Sequence, residues 1–131
     1  MNNKHKILKD TFGHDKFRSF QEEVVDNILN KQDVLTILPT GGGKSLCYQL
    51  PTLLMDGVTV VISPLIALMQ DQIKALNDLN INAEMISSSQ STDENSFTLQ
   101  KLLNGDLKFI YVAPERFTSN EFVGVLQRIN I

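Results

Sequence analysis

The clearest chemistry in this chain lies in eight consecutive residues, Leu38-Pro39-Thr40-Gly41-Gly42-Gly43-Lys44-Ser45. Three glycines in a row let the backbone curl so that successive N–H groups face one concavity. Lys44 then offers a point charge to terminal phosphates, and the Ser45 hydroxyl suits a Mg²⁺ ion. The run Leu46-Cys47-Tyr48-Gln49-Leu50 reads as the start of a helix, whose unsatisfied N–H groups and dipole favour an anion. The generic phosphate loop is G-x-x-x-x-G-K-[ST]. Gly43, Lys44 and Ser45 fit it, whereas Leu38 stands at the first glycine position. An ordinary glycine-rich turn before a helix is the alternative, and the strand-turn-helix context favours phosphate binding.

Several elements must position that loop. Val34-Leu35-Thr36-Ile37 is a short apolar run that predicts the preceding strand. Upstream, Ser19 with Glu22 three residues later predicts a capping box and a helix starting near Ser19. Phe20, Val24 and Ile28, with Val25 and Leu29, fall on one face of that helix. Residues 4–12 predict a shorter helix closed by Gly13. Downstream, Pro51 predicts a kink or break. Residues 58–62 form a second apolar run, suited to a parallel strand covered on both faces. Ser63-Pro64 predicts a helix with serine as N-cap and proline at the first helical position. Its Ile66, Met69, Ile73 and Leu76 recur at core spacing. Residues 83–86 predict a third strand, followed by a solvated polar loop over 87–91. Ser91 and Glu94 predict a second capping box, for a helix reaching Leu103 and closed by Asn104-Gly105. Residues 108–112 predict a fourth strand, Pro114-Glu115-Arg116 a turn, and 121–128 a last helix.

Strands alternating with helices predict an α/β fold with a mostly parallel sheet flanked by helices. Ligands in such sheets bind beyond the carboxyl ends of the strands. Residues 39–45, 63–72 and 113–117 each follow a strand, so all three are expected at one edge as parts of one site.

Composition narrows the class. The chain has 131 residues, 42% of them hydrophobic, enough for a core. A net charge of −3 gives no strongly basic footprint, although a local groove can still be positive. The single cysteine, Cys47, permits no internal disulfide and reads as a small buried hydrophobe. His5 and His14 are too isolated to suggest a metal site. No signal-peptide pattern opens the chain, and no apolar run approaches the ~20 residues of a bilayer span. A soluble, cytoplasmic protein with no membrane partner is the expectation.

Four stretches together resemble the RecQ family of DNA helicases, in helicase superfamily 2. They are Phe12-Gly13 with Phe17-Arg18 and Gln21; residues 39–51 around the phosphate loop; Ser63-Pro64-Leu65-Ile66-Ala67-Leu68-Met69-Gln70-Asp71-Gln72; and Tyr111-Val112-Ala113-Pro114-Glu115-Arg116-Phe117. The resemblance runs from about Ile7 to Phe117. It implies a P-loop NTPase (RecA-like) fold and, with ATP and Mg²⁺ as cofactors, an ATP-dependent 3′–5′ DNA helicase acting in repair and recombination. Gln21 then matches the glutamine that reads the adenine edge, and an amide offers the donor and acceptor this needs. Arg18 matches an arginine packed on the base; His14 stands where the family commonly has an aromatic. Thr40, Gly41, Gly42 and Gly43 would cradle phosphate, Lys44 would bind it, and Ser45 would hold the metal. Ser63, Pro64, Leu65, Gln70 and Arg116 would contact single-stranded DNA or couple it to the nucleotide. Leu38 agrees with this group, which often lacks the first glycine.

In the family an acidic Asp-Glu-x-His stretch follows the Pro-Glu-Arg turn, and residues 1–131 stop before it. The resemblance therefore implies an incomplete N-terminal portion of the first RecA-like domain, truncated before the acidic strand and needing the remaining helicase domains for hydrolysis. Exposed strand edges could pair with another chain. The competing readings are a stand-alone P-loop module or phosphotransferase, and an RNA helicase of the DEAD-box group, where Pro-Thr-Arg-Glu-Leu would stand in place of Ser-Pro-Leu-Ile-Ala-Leu. Arg116 could instead serve in a structural ion pair.

Overall fold

The computed structural model describes residues 3–39 and 43–131. The chain divides into two compact units, Met1–Asp56 and Gly57–Ile131.

Among its described residues the first unit contains three helices, α1 (Lys4–Asp10), α2 (Gln21–Leu29) and α3 (Lys44–Leu53). Leu8, Val25 and Leu50, one from each helix, are fully buried together, with Ile7, Leu29 and Leu46 packed on them. The sequence periodicity thus places Val24 and Val25 on the buried face of α2, as expected. Phe20 leaves that face. It precedes α2 in the left-handed region at φ 72° and is 67% exposed.

Three sequence expectations fail in this unit. The helix starts at Gln21 rather than Ser19, and no side chain caps it among the described residues. The capping box does not form because the N-cap position falls on Phe20, which leaves Ser19 outside it, and the Glu22 carboxylate lies 2.7 Å from Lys4 Nζ. Pro51 does not break α3, which continues to Leu53. A proline in the last turn removes one donor, and the Thr52 hydroxyl adds a 2.7 Å bond to the Tyr48 carbonyl. Residues 34–37 form no strand. Leu35 and Ile37 are 88% and 86% exposed. A strand persists only where a neighbour takes its N–H and C=O groups, and no strand pairs with this run among the described residues.

The second unit is a parallel sheet of three strands, β1 (Thr59–Ile62), β2 (Ala83–Ile86) and β3 (Phe109–Val112), in the order β1-β3-β2. Thr59 and Ala83 both pair with Phe109, and Ile62 and Ile86 both pair with Val112. The central β3 is buried at every residue. The cover on both faces expected for β1 belongs to β3 instead; β1 is half-buried and ends on an exposed Ile62. Helix α4 (Ile66–Asp78) follows β1, α5 (Thr92–Leu103) follows β2, and a 3₁₀ turn (Pro114–Thr118) with α6 (Asn120–Leu126) follows β3. Ile86, Leu99, Leu102, Ile110, Val112 and Phe122 form the centre of the core.

Helix α4 begins at Ile66, so Ser63 is not its N-cap. Ser63 Oγ instead accepts from the Leu65 N–H at 3.2 Å, closing a short turn that leaves Leu65 extended. The Ser91–Glu94 capping box forms in full, and α5 reaches Leu103 and is closed by Asn104-Gly105, as predicted, with Gly105 left-handed. The loop after β2 is not simply solvated, because Ser87 is fully buried. Among the described residues no helix is long and apolar enough to cross a membrane.

Candidate functional site

Each unit carries part of the chemistry read from the sequence. In the first unit, Thr40, Gly41 and Gly42 lie outside the described residues. Gly43 is the N-cap of α3 and sits in the left-handed region at φ 79°. Lys44 and Ser45 are the first two residues of the helix, so both stand where the unsatisfied N–H groups emerge. Lys44 is exposed and makes no ion pair among the described residues. Ser45 is half-buried.

Gln21 joins this helix start. It is 3% exposed, its Oε1 accepts from the Arg18 N–H at 2.7 Å, and its Nε2 donates to the Gly43 carbonyl at 3.1 Å. The amide sits where a Cβ at residue 43 would be, so Gln21 would have to shift if that residue were not glycine. The Arg18 Cδ lies 3.8 Å from the same point. Arg18, Gln21 and Gly43, separated by up to 25 residues in the chain, thus meet at one place. A primary amide has two N–H donors and two acceptor lone pairs, so each end of Gln21 keeps one position beyond these bonds. Sequence reasoning singled out Gln21 and Arg18 for base recognition; it gave no sign that the amide also grips the last glycine of the loop.

Cys47 is buried below this point, with its Sγ 3.7 Å from the Gly43 carbonyl. Burial pushes its thiol pKa up, against a smaller lowering from a backbone hydrogen bond. It is a small packed side chain, as read from the sequence. Beside α2 runs a groove of about 650 Å³ lined by Arg18, Phe20, Val24 and residues 34–39.

One contributor escaped the sequence reading. Lys4, in the first turn of α1, places its ammonium 2.7 Å from Glu22 Oε2 and 2.7 Å from Asp26 Oδ1. His5 Nε2 lies 3.2 Å from the same Glu22 oxygen. Burial, the largest single influence, lowers the Lys4 pKa, but hydrogen bonds and charge from Asp26 and Glu22 together raise it above lysine's ordinary value. No local pattern could have revealed a partner 18 or 22 residues away.

In the second unit, two of the marked stretches leave adjacent strands. Ile62 pairs with Val112, and the Ser63 N–H donates to the Val112 carbonyl at 3.0 Å. Ser63, Pro64 and Leu65 therefore lie beside Ala113, Pro114 and the 3₁₀ turn at the carboxyl edge of the sheet. Pro64, Leu65 and Gln70 are exposed, while Ser63 and Arg116 are half-buried. Arg116 makes no ion pair among the described residues, which removes the support for a structural pairing. The third strand end carries Ser87, whose carbonyl accepts from Asn95 Nδ2 at 2.9 Å and whose hydroxyl lies 2.6 Å from that of Ser89. Gln90 Oε1 and Asn95 Oδ1 are buried and lack a partner among the described residues.

Comparison with known proteins points to one family. The DEAD/DEAH box helicase family matches residues 18–130. The chain is 48% identical over 116 residues to the ATP-dependent DNA helicase RecQ of Haemophilus influenzae, covering 88% of this chain and 19% of that protein. It is 48% identical over 126 residues to RecQ of Bacillus subtilis, covering 95% of this chain and 21% of that one. It is 45% identical over 117 residues to the ATP-dependent DNA helicase Q1 of Rattus norvegicus, covering 88% and 19%. The chain thus spans about a fifth of the length of these relatives. Among solved structures, the DUF1998 helicase MrfA is similar with a TM-score of 0.74 at 22% identity, over 98% of this chain and 21% of that one. A hypothetical ATP-dependent RNA helicase from Sulfolobus tokodaii is similar with a TM-score of 0.68 at 18% identity, over 95% and 38%. At these identities the structures show a shared fold.

Proposed function

Because the chain belongs to the DEAD/DEAH box helicase family, we propose that it is the nucleotide-binding part of an ATP-dependent DNA helicase of the RecQ type. The observation that carries this reading is the meeting of Gln21 with Gly43. It ties an amide suited to an adenine edge to the helix start suited to phosphate. Gly43 takes a left-handed backbone at φ 79°, and the Gln21 amide occupies the space a side chain there would need. In this reading Thr40, Gly41, Gly42, Gly43 and Lys44 hold the phosphates, Ser45 holds Mg²⁺, and Arg18 packs on the base. Bound Mg²⁺ supplies charge neutralisation at the phosphates. The exposed Pro64, Leu65 and Gln70, with Ser63 and Arg116, form the surface that meets one DNA strand. The preference for DNA over RNA rests on the relatives, which are named as DNA helicases.

The test uses the parent protein that carries this chain. Steady-state ATP hydrolysis is measured without nucleic acid, with single-stranded DNA and with single-stranded RNA. DNA should stimulate turnover, and Lys44→Ala should abolish it while salt-sensitive DNA binding persists. Turnover that ignores DNA, or survives in Lys44→Ala, would refute the assignment.

A further inference from the structure

We propose that Lys4 is a positioning residue for nucleotide selection, acting through Gln21. The inference rests on the reading of Gln21 as the base-recognising amide. Helix α2 begins at Gln21, so the direction of that amide depends on how the first turn of α2 is held. The usual local means is absent. The Ser19–Glu22 pair does not cap the helix, and the N-cap residue is Phe20 in a left-handed conformation with no side-chain cap among the described residues. A non-glycine residue is strained there and keeps that conformation only where its surroundings impose it.

Beyond its backbone bonds and the bonds of Gln21 itself, the first turn is tied to α1 by Lys4, with His5 Nε2 3.2 Å from the Glu22 oxygen that Lys4 meets. The Lys4 ammonium bridges Glu22 and Asp26, one turn apart on α2, at 2.7 Å to each. Without it the two carboxylates would repel across an i,i+4 spacing. The Lys4 side chain is 10% exposed while Glu22 and Asp26 are 45% and 41% exposed, so the ammonium is sheltered and solvent screens the bridge from the carboxylate side. Glu22 is the immediate neighbour of Gln21, so an anchor on Glu22 fixes the helical turn from which the amide projects. Gln21 then reaches Arg18 and Gly43. The chain of contacts runs from α1, through one ammonium, to the first turn of α2, and through one amide to the phosphate loop.

The experiment compares Lys4→Met, Lys4→Arg, Asp26→Asn and Gln21→Ala in the parent protein, following ATP and GTP hydrolysis. Lys4→Met should raise KM for ATP about fivefold, the scale of roughly one kcal/mol of lost positioning. It should leave kcat at saturating ATP unchanged and narrow the preference for ATP over GTP. Lys4→Arg should restore most of both. Asp26→Asn keeps Lys4 and Glu22 and is the milder variant should Lys4→Met unfold the unit; it should shift KM in the same direction by less. A fall in kcat with KM unchanged, or an unaltered ATP:GTP preference in Lys4→Met while Gln21→Ala alters it, overturns the role of Lys4 and leaves the helicase reading standing. An unaltered preference in Gln21→Ala itself overturns the base-reading role and this inference together.

Discussion

Gly43→Ala has an effect that can be worked from the structure and separated into two parts. Gly43 sits at φ 79° and Gly13 at φ 75°, both in the first unit. A side chain in that region costs about 1–2 kcal/mol at either position. At Gly13 nothing lies within 4 Å of where a Cβ would be, so the backbone cost is the whole effect. At Gly43 the new Cβ would overlap Gln21 Nε2, and Gln21 must leave. It then gives up its bonds to Arg18 N–H and the Gly43 carbonyl, each contributing about 1 kcal/mol net. Gly43→Ala should therefore loosen the α2–α3 pair by about 2 kcal/mol more than Gly13→Ala, roughly thirtyfold in an opening equilibrium. Amide hydrogen exchange of α2 and α3 in the parent protein reads this directly. The overlap has a second signature. In a Gln21→Ala background the side chain is gone, so adding Gly43→Ala should cost only the backbone part, and the two changes should be strongly non-additive. Equal protection losses in the two single glycine variants, or full additivity with Gln21→Ala, would falsify the argument that Gln21 is what requires glycine at 43.

Other expectations follow from single features. Ser91→Ala removes the N-cap of α5 and should lower the exchange protection of that helix by about 1 kcal/mol. Ile110→Ala empties a fully buried site in the central strand and should destabilise the second unit by about 2–5 kcal/mol in urea unfolding. Cys47 is buried with a raised pKa, so iodoacetamide at neutral pH should modify it far more slowly than a free thiol; labelling at the free-thiol rate would contradict its burial. Lys4 has a folded pKa above its unfolded value, so its contribution is complete below lysine's ordinary pKa of about 10.4 and is lost only as pH rises past the raised value. Exchange protection of α1, corrected for the intrinsic rate, should hold to that pH in the unsubstituted protein and lose this alkaline step in Lys4→Met.

How much of this was legible in the sequence depends on how local each interaction is. Two Ser-x-x-Glu patterns, at Ser19 and Ser91, predict the same capping box. Ser91 and Glu94 exchange both of their bonds with each other, and the box forms. At Ser19 the N-cap falls on Phe20 instead, Glu22 meets Lys4 across 18 residues, and no box forms. The strands at 59–62, 83–86 and 109–112 read correctly because their apolar runs find partners in one sheet. Residues 34–37 carry the same composition and form no strand, since pairing is a property of neighbours and not of the run itself. Phe20 reads as a core residue by spacing and is turned away by its left-handed backbone. The glycines, Lys44 and Ser45 announce phosphate chemistry by type alone. The grip of Gln21 on Gly43 depends on two helices packing, and residue types carry no trace of it.

The hydrogen bond from the Val58 N–H to the Asn130 carbonyl, at 2.9 Å, sets how the second unit would carry mechanical force. It places the two ends of the Gly57–Ile131 unit side by side, with Lys108 Nζ also holding the Gly57 carbonyl at 3.0 Å. Tension drawn through those ends would peel the corner bond by bond, with the Val58–Asn130 link the first to yield. The loops that begin at Ser63 and Ala113 lie at the opposite ends of the strands, about 13 Å away for four residues of strand. The corner that joins the ends of the unit and the surface at Ser63 and Ala113 thus lie at opposite ends of the same strands.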